Sequence, residues 1–225
     1  MNSATRNAHV QSAPSTRRTA RIVGVLFLAA FLAYGVGNVI ATSIAGSADP
    51  GGSEALLIAG VALMLVNSVI VIGIGVLMFP ILQPHNPAIA VGYLGTRIFE
   101  GVGLGIGAVC LLVLTGPAAI DANFVAYNVA EVGLGIGSLF FCALLFRTGL
   151  VPRFLAVWGF VGYACFAAGS LLELFGVAGA GLVATIPGGL FELTFAIWLI
   201  ARGFGSSATA VRFGPARGRA SSSMA

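Results

Sequence analysis

Residues 88–115 read AIAVGYLGTRIFEGVGLGIGAVCLLVLT, and this stretch decides the fold. As a helix it exceeds the ~20 apolar residues needed to cross ~30 Å of hydrocarbon. It has none of the period-2 alternation of a membrane barrel strand. Working outward, five further runs of the same kind appear, giving spans at about 22–44, 55–79, 88–115, 124–146, 153–176 and 182–202. Breaker clusters separate them: Gly46 to Gly52, Pro80 to Pro87, Gly116-Pro117, Arg147 to Pro152 and Gly176 to Gly181. The expected fold is all-α, an integral membrane bundle of six transmembrane helices. Residues 21–203 form the transmembrane domain, and 1–20 and 204–225 form two Ser-, Ala- and Arg-rich disordered cytoplasmic tails.

Composition agrees with that reading. Of 225 residues, 58% are hydrophobic and 8% charged, with a mean hydropathy of +1.03. A soluble domain carries roughly 25% charged residues, so a water-facing surface cannot be built from this chain. A soluble enzyme, a secreted disulfide scaffold and a disordered chain are excluded on the same figures. Cys110, Cys142 and Cys165 lie inside apolar runs without Cys-x-x-Cys spacing and read as small hydrophobes. The net charge of +4 does not imply nucleic acid, because the basic residues sit at chain ends and short loops. Attraction to lipid head groups accounts for it, so the bilayer is the expected partner.

All eleven basic residues are Arg, and ten of them fix an orientation. Arg6, Arg17, Arg18 and Arg21 precede the first span, Arg147 and Arg153 flank the fourth connection, and Arg202, Arg212, Arg217 and Arg219 follow the last. In a six-span arrangement these share one side, while Asp49, Glu54, Asp121 and Glu173 fall on the other. By the positive-inside rule both termini are expected to be cytoplasmic, with Trp158 and Trp198 near that interface. The rival reading of the first span is a cleaved signal peptide ending near Ala48. Its apolar run, however, exceeds the ~7–15 residues of a signal core.

The eleventh Arg is the anomaly. Arg97 and Glu100 lie in the third span, Glu131 in the fourth and Glu192 in the sixth. At ~1.5 Å per residue all four fit one layer about 12 Å thick near the bilayer centre. Asn67 of the second span and Asn38 of the first can reach the same layer. Each ionisable residue there costs roughly 2.5–3.5 kcal/mol on insertion, so these side chains must face inward and find partners. Arg97 and Glu100 are i, i+3 on one helix face, and the guanidinium fork can also bridge to Glu192. One Arg cannot neutralise three Glu, so at least one carboxyl is expected to carry a proton near neutral pH. Two readings compete: a structural clasp that fixes helix register, or a proton-linked or substrate-binding centre. Glu173, near the outer rim, is read as solvated.

The hexapeptide Val-Gly-Leu-Gly-Ile-Gly occurs at 102–107 and again at 132–137. No strand precedes either copy, so the resemblance to a dinucleotide fingerprint is a decoy. Gly101/Gly105 and Gly103/Gly107 are small-x-x-x-small pairs, which predict a tight crossing of the third and fourth spans that brings Glu100 towards Glu131. Pro187-Gly188-Gly189 is expected to interrupt the sixth helix beside Glu192. A faint echo links Ile98-Phe99-Glu100 to Leu190-Phe191-Glu192, for which chance is the better account.

Catalytic machinery is missing from the spans. His9 is in a tail and His85 in a loop, so neither a haem or zinc ligand nor a Ser–His pair is available within the bilayer. No enzyme activity, cofactor or metal is expected.

Several landmarks carry a family resemblance: Phe79-Pro80-Ile81-Leu82 with His85-Asn86, Gly92-Tyr93-Leu94-Gly95-Thr96-Arg97-Ile98-Phe99-Glu100, Leu150-Val151-Pro152-Arg153-Phe154-Leu155 with Trp158-Gly159, and Pro187-Gly188-Gly189-Leu190-Phe191-Glu192 with Gly203-Phe204. Over residues 20–205 the chain resembles the bacterial multi-pass membrane family known as domain of unknown function 4386. The resemblance implies a six-helix bacterial inner-membrane protein, marks Arg97, Glu100 and Glu192 as landmarks, and supplies no substrate. Glu131 is outside that pattern. The reading that follows is a small transporter-like or ligand-sensing protein, with Arg97 as anchor, Glu100 and Glu192 as the protonatable pair, and a small molecule or proton as ligand. One bundle of this length is short for a complete transporter, so a homodimer is also expected. The alternative is a structural or regulatory membrane subunit whose polar centre only fixes packing.

Overall fold

A computed structural model describes residues 13–46 and 53–205, with side chains from residue 16 onward. It contains six α-helices: α1 Ala13–Ala45, α2 Glu54–Leu82, α3 Pro87–Val113, α4 Pro117–Thr148, α5 Arg153–Leu174 and α6 Ala180–Ala201. All six are long and apolar enough to cross a membrane, and no strand occurs among the described residues. Large apolar side chains such as Leu32, Val69, Val113 and Leu182 stand on the outside of the bundle, where only lipid can receive them. The chain is a multi-pass membrane protein.

Helix ends follow capping chemistry more than hydropathy. α4 begins seven residues before its apolar run, at Pro117, because Gly116 turns the chain with φ 64° and proline suits the first helical position. α2 continues through Pro80 to Leu82 instead of stopping at the proline. One turn from the helix end, the lost backbone bond is a small loss. Asn86 then starts α3, its side-chain oxygen accepting from the Ile89 amide at 3.1 Å ahead of Pro87. The helical part of the N-terminal region corrects the expected tail: residues 13–20 belong to α1, where Ala20 is fully buried. The rest of the expected tails, residues 1–12 and 206–225, lies outside the described residues, as does the proposed cleavage region around Ala48.

Each helix packs on its chain neighbours, and α1 packs on α6, so the bundle closes into a ring. Glycines set how close the walls stand. A Cβ at Gly135 of α4 would lie 2.6 Å from the Tyr163 carbonyl oxygen and 2.7 Å from the Ala167 nitrogen of α5. One at Gly162 of α5 would lie 2.8 Å from Cα of Gly188 in α6. Both contacts are backbone against backbone, which only glycine permits. The ends are placed by similar contacts. Gly24, early in α1, abuts Ala196 and Ile200, late in α6. The Gly205 amide donates to the Leu150 carbonyl in the α4–α5 turn at 2.8 Å. The start of α1, the end of α6 and that turn therefore share one end of the bundle.

Candidate functional site

The third helix presents two faces because its glycines alternate. Gly101 packs on Ser68 and Ile72 of α2, whereas Gly103 and Gly107 pack on Ala130, Ala126 and Asn123 of α4. From the α4 side, Gly133 and Gly137 receive Phe99 and Thr96 of α3. The predicted α3–α4 crossing is present, and the same glycine run also seats α2. In both copies of the hexapeptide the Leu (Leu104, Leu134) turns inward and the Ile (Ile106, Ile136) faces lipid.

These close approaches bring Arg97 to the middle of the ring with 1% of its surface exposed. Its Nε donates to the Tyr93 hydroxyl at 3.0 Å, and Nη1 donates to Glu100 Oε2 at 2.8 Å. Nη2 donates to Glu192 Oε1 at 3.3 Å and to the Tyr163 hydroxyl at 3.4 Å. Tyr163 in turn donates to the same Glu192 oxygen at 2.7 Å. The guanidinium also lies over the Phe27 and Tyr93 rings, 5.0 Å and 5.4 Å from their centroids, an arrangement that favours a desolvated cation. Helices α3, α5 and α6 are thus joined through one cation, with α1 supplying an aromatic face beneath it.

Beside this clasp lies a cavity of about 150 Å³ that all six helices line. Arg97, Glu100, Glu131, Glu192 and Asn67 all border it, so every residue expected at the polar centre is brought to one place. Asn38 is not: it does not border the cavity, and its buried Oδ1 has no hydrogen-bond partner. Glu131 differs from the other two carboxyls. It is 94% buried by its 6% exposure, it borders the cavity, and its Oε2 has no hydrogen-bond partner.

Several sequence expectations change on this geometry. α6 is continuous from Ala180 to Ala201 through Pro187. The indole of Trp158 donates to the Pro187 carbonyl at 3.1 Å, near the close approach of Gly162 to Gly188. Glu173 is a cap, because its two oxygens accept from the Gly179 amide at 3.0 Å and the Gly181 amide at 2.7 Å at the start of α6. The Phe–Glu echo is not a structural one. Phe99 is half-exposed against Gly133, while Phe191 is fully buried in the core.

What the sequence reading missed is aromatic. All four tyrosines of the chain serve the centre: Tyr93 and Tyr163 hold the clasp, and Tyr34 and Tyr127 border the cavity, stacked at 5.6 Å. A signal existed, since Tyr93 precedes Arg97 by four residues and Tyr127 precedes Glu131 by four, one helix face in each case. His85, between α2 and α3, has no role here; burial lowers its pKa below the usual 6.5. No group of three metal-ligating side chains occurs among the described residues.

The model of the family described as Domain of unknown function (DUF4386) matches residues 22–203. The chain belongs to that family. The match covers all six helices except the first turns of α1, and it includes every residue of the Arg97 centre. No curated protein and no solved structure matches this DUF4386 chain.

Proposed function

We propose that this protein is a proton-linked, ligand-binding membrane protein, transporter-like or ligand-sensing, seated in the bacterial inner membrane with both termini in the cytoplasm. The observation that carries the reading is Glu131, a buried carboxyl without a partner that borders a cavity already holding Arg97, Glu100 and Glu192. A packing device has no use for an unpaired carboxyl, whose burial opposes insertion. Arg17, Arg18, Arg21, Arg147, Arg153 and Arg202, at the end shared by the start of α1, the α4–α5 turn and the end of α6, support the orientation. The reading is non-enzymatic, and it includes assembly as a homodimer, since one small bundle offers little room for a gated path.

A second reading is favoured by Arg97 itself. Four of its hydrogen bonds are made to residues of the same bundle, so the Arg97–Glu100–Glu192 half is complete as a structural clasp. The two readings divide the centre: the clasp holds the helices, and Glu131 takes the proton. Infrared pH titration of purified protein in lipid tests this, with wild type compared against Glu131→Gln and Glu192→Gln. The expected result is a protonated-carboxyl band at neutral pH that titrates and disappears in Glu131→Gln. Carboxyl bands that stay unchanged at every pH tested reduce the centre to a clasp.

A further inference from the structure

The charge arithmetic of the cavity specifies its ligand more closely. Fully ionised, Arg97 with Glu100, Glu131 and Glu192 sums to a charge of −2, carried on four buried side chains that border one cavity. Such an imbalance cannot stand in a low-dielectric interior, so two positive charges must be added. Two protons satisfy the count, and so do one proton and one monovalent cation. An anion makes the imbalance worse. It also finds few donors, because all three nitrogens of the Arg97 guanidinium already donate to partners inside the bundle.

The walls favour an organic cation over an inorganic one. Phe31, Tyr34, Tyr127 and Phe166 border the cavity, and Tyr34 and Tyr127 stack 5.6 Å apart with 24° between their planes. Tyr127 stands one turn from Glu131 on α4, so aromatic rings and the unpartnered carboxyl border the same space. Aromatic faces with a carboxylate are the surroundings that hold an alkylated or aryl ammonium. A cavity of about 150 Å³ takes a guest of roughly benzene size.

We infer that the cavity binds a small hydrophobic ammonium ion at Glu131, in exchange for one proton. This inference rests on the ligand-binding reading above and gives it a substrate class. Without the cation, two protons are distributed among the three carboxyls. When the ammonium enters, one proton leaves for water, the ammonium pairs with Glu131, and the net charge of the centre is unchanged. The groups facing Glu131 across the cavity are Tyr34 of α1, Asn67 of α2, Arg97 and Glu100 of α3, and Glu192 of α6, with Tyr127 on its own helix and only Phe166 from α5. Because one proton is released per cation, the apparent affinity rises tenfold for each pH unit across the range where Glu131 is protonated.

The test is calorimetric titration of the full chain in lipid nanodiscs with benzylammonium, benzyl alcohol and benzoate, three probes of one size and different charge. Proton release is read in weak buffer. Benzylammonium is expected to bind at least tenfold more tightly than the other two and to release about one proton. Glu131→Gln is expected to reduce that affinity at least tenfold. Should Glu131→Gln fold poorly, Gly35→Leu serves in its place. Gly35 borders the cavity and no atom stands within 4 Å of its Cβ position, so a larger side chain can be started there, at the cavity rim, without a clash at Cβ. Benzyl alcohol binding as tightly as benzylammonium, or cation binding undiminished in both variants, overturns the inference. Benzoate binding alone also overturns it, while leaving a ligand-binding protein anchored on Arg97. No binding of any probe, together with carboxyls that never titrate, removes the broader reading as well.

Discussion

Arg97→Met separates a charge clasp from ordinary packing. Methionine approximates the length of the arginine stem, so the substitution removes the charge and its hydrogen bonds while keeping most of the volume. The four bonds from Arg97 reach Tyr93, Glu100, Tyr163 and Glu192. At the ~0.6 kcal/mol average measured between membrane helices, four bonds set a floor near 2 kcal/mol. Stranding the buried carboxylate that Arg97 neutralises raises the loss to about 3–5 kcal/mol. Unfolding by denaturing detergent, followed by far-UV circular dichroism, reads this directly. The triple variant Arg97→Met/Glu100→Gln/Glu192→Gln carries no charge to strand, so only the loss of the four bonds, about 2 kcal/mol, is expected. The reasoning is refuted if Arg97→Met alone loses less than about 1 kcal/mol, or if the triple variant is as unstable as the single one. In the second case shape, and not charge, would hold α3, α5 and α6 together.

Two further predictions concern the frame. Gly135→Ala places a methyl 2.6 Å from the Tyr163 carbonyl oxygen and must separate α4 from α5, lowering unfolding stability by about 1–3 kcal/mol. Gly95→Ala, with no atom within 4 Å of the new methyl, leaves stability unchanged or raises it by up to about 1 kcal/mol in the same assay. Glu173→Ala removes both acceptors at the α6 N-terminus, with an expected loss of about 0.5–2 kcal/mol. Hydrogen exchange should then speed up at the Gly179 and Gly181 amides and stay unchanged at the Arg97 centre.

The spans were legible because hydropathy is summed over many residues, and no local exception can hide twenty apolar positions. The polar centre was legible for a related reason. Arg97, Glu100, Glu131 and Glu192 are so costly in hydrocarbon that depth alone forces them inward. Their division into two roles was not legible, since it depends on which hydroxyls stand within reach of which oxygen. Tyr163 and Glu192 are 29 residues apart and meet only because Gly162 lets α5 and α6 approach to backbone contact. The role of Glu173 was hidden similarly. Its carboxylate looks solvated until the tight turn through Gly176 and Gly179, with φ 90° and 82°, folds the α6 amides back onto it. Pro187 misled because α6 runs on through it despite the missing N–H, and sequence does not record the Trp158 indole that ties α5 to the Pro187 carbonyl.

The first helix explains how one centre can be both fixed and open. Glycines bring α2, α3, α4, α5 and α6 successively to close contact, so the polar groups of α3, α5 and α6 meet directly. α1 contributes no charged group to the centre. Its residues there are Phe27, Phe31 and Tyr34, spaced i, i+4 and i+7 as one stripe. Phe27 covers the guanidinium, while Phe31 and Tyr34 border the space beside it. α1 is seated by glycine contacts of its own, Gly37 against Gly60 of α2 and Gly24 against Ala196 of α6, and gives the clasp ring faces in place of hydrogen bonds. The clasp holds α3, α5 and α6, and the α1 rings wall the space beside Glu131. Substitutions of Phe31 and Tyr34 should therefore alter ligand affinity more than stability, and substitutions at Phe27 and Arg97 should do the reverse.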